Sequence, residues 1–241
     1  MGTRMMRGTS IRMLDPALLP LLHFADTAFP TGGYAHSFGL ETYCQDGRVA
    51  DGEGLAAFLT MHLEGSAGPA DATAAVAALR AFAAGDLAAC RELDARLEAM
   101  KPARELREAS RQMGRQTLRV SAALTADPAL AAYAAAADAG ETPGHHGVAF
   151  GMAAGRLGVG AGAAATGYLY SATSLLVGAA LRLMRLGQLE GQRVLWRLHP
   201  VIARVAAEAV ARDPEDMWSW APGLELASLA HERLDARLFR S

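Results

Sequence analysis

Residues 101–124 read KPARELREASRQMGRQTLRVSAAL. Pro102 stands where a helix commonly begins, because a first-turn proline gives up only an amide that has no intrahelical partner. Leu106, Ala109, Met113, Val120 and Leu124 then recur at helical spacing and form one apolar stripe. Opposite the stripe lie Arg104, Arg107, Arg111, Arg115 and Arg119, with Glu105 and Glu108 beside them. The stretch is an amphipathic helix over about 103–124. A charged face of this kind is most often solvated and laced with local ion pairs. Arginine forks also suit carboxylates on a partner.

Working outward, the same period recurs. Ala17 to Asp26 reads as a short apolar helix and Tyr34 to Gln45 as another, stopped by Asp46-Gly47. Asp51 caps a helix that carries Leu55, Phe58, Leu59 and Leu63 on one face. Pro69 is read as a first-turn proline opening a helix over 71–84, and Leu87, Cys90, Leu93 and Leu97 mark the next. Downstream come Asp127-Pro128 with an alanine-rich helix, His145 to about Gly158, an uncharged stretch to Arg185, then 190–199 and 201–212. Pro222 opens a last helix, 222–239, with Leu226, Ala230, Leu234 and Leu238 in line and Leu229 beside them. There is no run of alternating β-branched residues and no Asn-Gly hairpin signal. The expectation is an all-α fold: one bundle-like domain of about ten helices over 15–241, preceded by a disordered segment, 1–14.

Composition narrows the function classes. Of 241 residues 51% are hydrophobic and 20% charged, with a formal net charge of -2. That is a globular balance with no electrostatic reason for nucleic acid or an anionic membrane. Cys44 and Cys90 are too few for a disulfide framework and lack a CxxC spacing. The start carries positive charge but no apolar core of a signal peptide, which points to the cytoplasm. Leu157 to Leu181 is free of charge and long enough for a membrane span. Its glycines, serines and threonines make it weakly hydrophobic, so it reads as a pair of buried, closely packed helical segments.

The densest chemistry lies in PLLHFADTAFPTGGYAHSFGLETY, 20–43. A proline–glycine turn is followed by Tyr34, His36, Ser37, Phe38 and Glu41. Adjacent serine and histidine do not face each other on a helix, and no GxSxG elbow is present. His36, His145 and His146 could form a metal site only across the fold, since no HxxxH, HExxH or Cys-His spacing occurs. GRLGVGAGAAA from Gly155 lacks the preceding strand and following carboxylate of a dinucleotide fingerprint and fits helix packing better. The expectation is no catalytic residue, no resident metal and no cofactor.

Together, LLHFADTAFPTGGYAHSFGLETY, KPARELREASRQMG, HHGVAFG, SATSLLVGAALRLMRLGQLEGQRVL and HERLDARL resemble the UreF family of urease accessory proteins, in the family's order. The resemblance implies an all-helical, non-catalytic adaptor in assembly of urease's dinuclear nickel centre. It implies a homodimer that binds UreD (UreH in some systems) and recruits the GTPase UreG to apo-urease. By motif position it assigns partner-facing or dimer-supporting roles to Tyr34, His36, Ser37, Phe38 and Glu41, to Arg104, Glu105, Arg107 and Ser110, to Gly187, Gln188, Gln192 and Arg193, and to His231, Glu232, Arg233 and Arg237. Two alternatives are a direct nickel carrier using His36, His145 and His146, and a regulator of UreG that inserts Arg104 or Arg193 at the phosphates.

Overall fold

A computed structural model describes residues 15–234 and 236–241. The 1–14 segment lies outside the described residues. Among the described residues the chain forms twelve α-helical segments and no strand. In order they are α1 Leu18–Ala25, α2 Leu40–Gln45, α3 Gly52–His62, α4 Thr73–Ala83, α5 Leu87–Ala99, α6 Arg104–Thr125, α7 Pro128–Asp138, α8 His146–Arg156, α9 Ala161–Leu183, α10 Gln188–Arg197, α11 His199–Ala211 and α12 Pro222–His231.

The tightest junction is α4 on α8, and glycine makes it possible. Gly147, Gly151 and Gly155 recur one turn apart on α8 and face the backbone at Asp71, Ala75 and Leu79. A Cβ on Gly151 would stand 2.1 Å from the Ala75 carbonyl oxygen, and one on Gly147 or Gly155 would stand 2.7 Å from a carbonyl oxygen. No side chain fits there. One apolar cluster gathers α3, α9, α10 and α11, and a second gathers α5, α7 and parts of α4 and α8.

Pro69 does not open a helix. It sits inside a π-helical segment, Leu63–Ala72, that joins α3 to α4 without a break. A proline has no amide to give the ladder. Gly65, four residues back, instead accepts from the Trp220 amide at 2.7 Å. The wider turn thus pins the chain that leads into α12.

Other differences have equally local causes. Tyr34 to Gln45 is a 3-10 turn, Gly33–Ala35, and then α2, because Phe38 and Gly39 take positive φ between them. The uncharged stretch is one helix, α9, after a turn at Gly158 (φ +69). It is the one helix among the described residues long and apolar enough to cross a membrane, and half of its most apolar window is buried in protein. Leu124, expected in the α6 stripe, is exposed, while Leu118 is fully buried. The last helix stops at His231 rather than near Phe239. Its leucine line faces outward: Leu226, Leu229 and Leu238 are exposed, while Leu224, Ala227, Ser228 and His231 face the core.

Candidate partner-docking site

The chain beyond α12 folds back onto the 36–45 segment, and charged side chains hold it there. His231 is fully buried. Its Nδ1 meets Glu105 Oε2 at 2.7 Å and its Nε2 meets Glu41 Oε2 at 3.0 Å. Each ring nitrogen thus meets a carboxylate. Glu105 also accepts from Arg237 Nη1 at 3.1 Å, so two carboxylates face an imidazole and a guanidinium. Glu41 accepts from the Leu238 and Phe239 amides at 2.7 and 3.0 Å. Buried charges are tolerated only when paired and hydrogen-bonded to this degree.

The end of this segment is held by the residues before Glu41. The Ser241 main-chain oxygen accepts from the Ser37 and Phe38 amides and from Ser37 Oγ, at 2.6, 3.2 and 2.7 Å. His36 Nδ1 lies 2.9 Å from Ser241 Oγ, and its Nε2 is sealed from solvent without a partner. Burial, with help from the Arg240 charge, lowers the His36 pKa to about 4. Gly39 at φ +84 lets α2 start against α12, where Thr42 Oγ1 donates to the Ala227 carbonyl at 3.0 Å. Arg182 lies 4.3 Å above the Phe239 ring and donates to the Tyr34 carbonyl at 2.9 Å.

A second buried network fixes the His145-His146 turn. Asp94 is fully buried and accepts from Thr142 Oγ1, the Gly144 and His145 amides and Tyr133 Oη, at 2.7, 2.6, 2.7 and 3.2 Å. Desolvation raises its pKa, against the pull of those donors. His145 Nδ1 lies 3.1 Å from Ser110 Oγ, and its Nε2 lies 3.0 Å from Glu98 Oε2. Serine, histidine and glutamate are thus connected, but the chemistry is wrong for a general base. Burial, together with the charges of Lys101 and nearby arginines, drives His145 down to about 2. Glu98 is already held by Arg107 and Arg111.

Between the networks lies a largely enclosed cavity of about 70 Å³, room for a few waters. Its polar wall is the buried Asp71–Lys101 pair, at 2.9 Å, with His62, His146 and Tyr168 nearby. Burial lowers both imidazoles to about 4 and raises the Tyr168 phenol well above its usual value.

The expected site residues therefore divide. Ser37, His36, Glu41, Glu105, Ser110 and His231 are buried and bind within the chain. They do not form a surface. Phe38 and Arg107 are partly buried; Arg107 pairs with Glu98 at 3.3 Å and donates to the Lys101 carbonyl at 2.7 Å. Tyr34, Arg104, Gly187, Gln188, Gln192, Arg193, Glu232, Arg233 and Arg237 are exposed. Arg104 reaches Glu232 at 3.3 Å, and Arg193 reaches Glu190 at 3.2 Å. His36, His145 and His146 do not converge. Among the described residues no group of three or more histidine, cysteine or acidic side chains is arranged to hold a metal. Asp94 and the Asp71–Lys101 pair escaped the sequence reading. The signal for Asp94 was its place on the apolar stripe of Cys90, Leu93 and Leu97, where a carboxylate must be satisfied internally.

The fold is thus an all-helical domain whose polar motif residues strap its own last segment in place and leave leucines and arginines outside. The comparison with known sequences is specific. The UreF family profile matches residues 49–199. The urease accessory protein UreF of Arthrobacter sp. (strain FB24) is 39% identical over 228 residues, covering 92% of this chain and 96% of that one. The UreF proteins of Corynebacterium glutamicum (strain R) and Bacillus sp. (strain TB-90) are 35% and 32% identical, covering 92% and 93% of this chain and 96% and 99% of theirs. The chain belongs to the UreF family.

Proposed function

We propose that this chain is a urease maturation factor, a cytoplasmic, non-catalytic adaptor for assembly of the dinuclear nickel centre. In this reading it binds UreD (or UreH) and recruits the GTPase UreG to apo-urease. Nickel is cargo of the assembled complex. The observation that carries the reading is the inversion of α12: its leucine line, Leu226 and Leu229, faces solvent beside the strapped 236–241 segment, while its polar residues face the core. Exposed apolar side chains in a row mark a protein contact. Tyr34, 74% exposed on the same strapped assembly, supplies an aromatic anchor beside it.

A homodimer fits a different face. Gly162, Ala163, Thr166, Tyr170 and Ser174 of α9 line an apolar groove with Leu22 of α1 and His199 of α11. No charged residue occurs on α9 before Arg182, so the α9 side of this groove carries apolar and hydroxyl side chains and no charge.

Co-purification tests the adaptor reading. The full chain is expected to capture UreD and UreG, and a chain lacking residues 221–241 is expected to lose them. Failure of the full chain to capture either partner would reject it. The nickel-carrier alternative has less support, because His36 and His145 are sealed in internal hydrogen bonds. Equilibrium dialysis giving stoichiometric nickel, lost on replacing the three histidines, would revive it. The UreG-regulator alternative asks for an arginine free to leave its place, and both Arg104 and Arg193 already hold a glutamate.

A further inference from the structure

Phe38 connects the strapped segment to the internal cavity. Its φ is +51, in the left-handed region that a bulky side chain rarely adopts. Such a conformation persists only where the surroundings impose it. The turn around it is closed by the Leu40 amide, which donates to the Ser37 carbonyl at 3.0 Å, and it is fastened from outside by one atom of the last segment. The Ser241 main-chain oxygen takes the Phe38 amide at 3.2 Å and both the amide and hydroxyl of Ser37. The Phe38 ring lies on the cavity wall, 6.3 Å from the His62 ring, and 6.0 Å from the His36 ring that touches Ser241. Phe38 thus stands between the cavity, which its ring lines, and the 236–241 segment, which its amide contacts.

We propose that Phe38 is a plug whose seating is set by that segment. With the segment docked, the backbone is held left-handed and the ring closes the cavity beside the Asp71–Lys101 pair. When the segment lifts, the three hydrogen bonds to Ser241 are lost. The backbone then relaxes to negative φ, and the ring swings out of the wall. The cavity opens towards His36 for water and small polar solutes, which its ion pair and the unpartnered Nδ1 of His62 suit. The inference concerns the chain alone and holds whatever the segment binds.

Thiol labelling tests it. Ala67, buried on the cavity wall, is replaced by cysteine in a Cys44→Ser background. Cys90 remains as the reporter of unfolding, since it is fully buried with its thiol pushed up to about 12. The probe is methyl methanethiosulfonate. Ala67→Cys is expected to be protected with Phe38 in place. It should label at least tenfold faster with Phe38→Gly, which keeps the left-handed backbone and removes the ring. Glu41→Gln, which loosens the segment and keeps the ring, should accelerate labelling likewise. Equal protection in all three proteins, or equally fast labelling in all three, would overturn the plug. So would exposure of Cys90 in Phe38→Gly, because a plug is dispensable for the fold.

Discussion

Glu41 and His231 stand 190 positions apart and meet at 3.0 Å, both buried. Glu41 also accepts two amides from the segment beyond α12. The contact therefore decides whether 236–241 lies on the body of the protein. In Glu41→Gln one of these acceptors becomes a donor. Amide hydrogen exchange at Leu238 and Phe239 is expected to rise at least tenfold, corresponding to about 1.4 kcal/mol or more of lost local protection. Protection unchanged from the parent would mean that the segment is held by other contacts. His231→Ala should act more strongly, since it leaves two buried carboxylates without the partner they share, a change that typically costs about 3–5 kcal/mol.

Gly151→Ala tests the α4–α8 junction. Alanine improves intrinsic helix propensity by about 1 kcal/mol. The added Cβ would stand 2.1 Å from a carbonyl oxygen of α4, and backbone cannot be repacked as a side chain can. A net loss of about 1–3 kcal/mol is expected in urea unfolding. Gly158→Ala, where nothing crowds the Cβ but φ is +69, should lose less. Equal or greater stability of Gly151→Ala would mean that the helices sit further apart.

Acid should weaken the fold through its enclosed histidines. His36, His62 and His146 have folded pKa values of about 4, below the usual 6.5, because burial penalises the imidazolium. The unfolded chain then binds more protons than the folded one between those values, so stability falls as pH drops from about 6.5 towards 4. Each group contributes on the order of 1–3 kcal/mol to the loss. Urea midpoints at pH 7 and pH 4.5 measure it, and His62→Gln with His146→Gln should flatten the profile. A midpoint independent of pH in both proteins would show that these rings are hydrated.

Much of the fold was legible because helix period survives burial. Leu55, Phe58, Leu59, Leu63, Cys90, Leu93 and Leu97 are all buried as their spacing predicts. The polar motif residues stood out one by one, but the contacts among them did not. Periodicity assumes that apolar side chains face inward, and α12 breaks that rule: Ser228 and His231 face in because Glu41 and Glu105 wait for the histidine across the fold. Partners so distant in sequence leave no local trace. The arginine face of α6 shows the same limit. Local ion pairs were expected, and Arg104 makes one with Glu108 at 3.6 Å, yet Arg111, Arg119 and Arg104 also reach Glu98, Asp138 and Glu232 on other segments. Pro69 was misread because a proline one turn into a helix and one inside a π segment look alike until the acceptor it frees is seen.

The α9 face gives an independent expectation. Ser174→Arg puts a charge in the groove that Tyr170 and Thr166 line. Sedimentation should show the parent as a dimer at tens of micromolar and the variant as a monomer, with circular dichroism unchanged. A parent that is monomeric at that concentration would remove the dimer from the account.

The most direct test of the central claim is capture of UreD and UreG from cells that express all three proteins. It compares the parent chain with Leu226→Asp/Leu229→Asp and with Glu41→Gln, each shown to be folded. The leucine variant should lose UreD and UreG although its core is untouched, and Glu41→Gln should lose them in proportion to its freed 236–241 segment. Full capture of both partners by the two variants would contradict the account, because neither the outward leucine line nor the strapped segment would then be the docking surface.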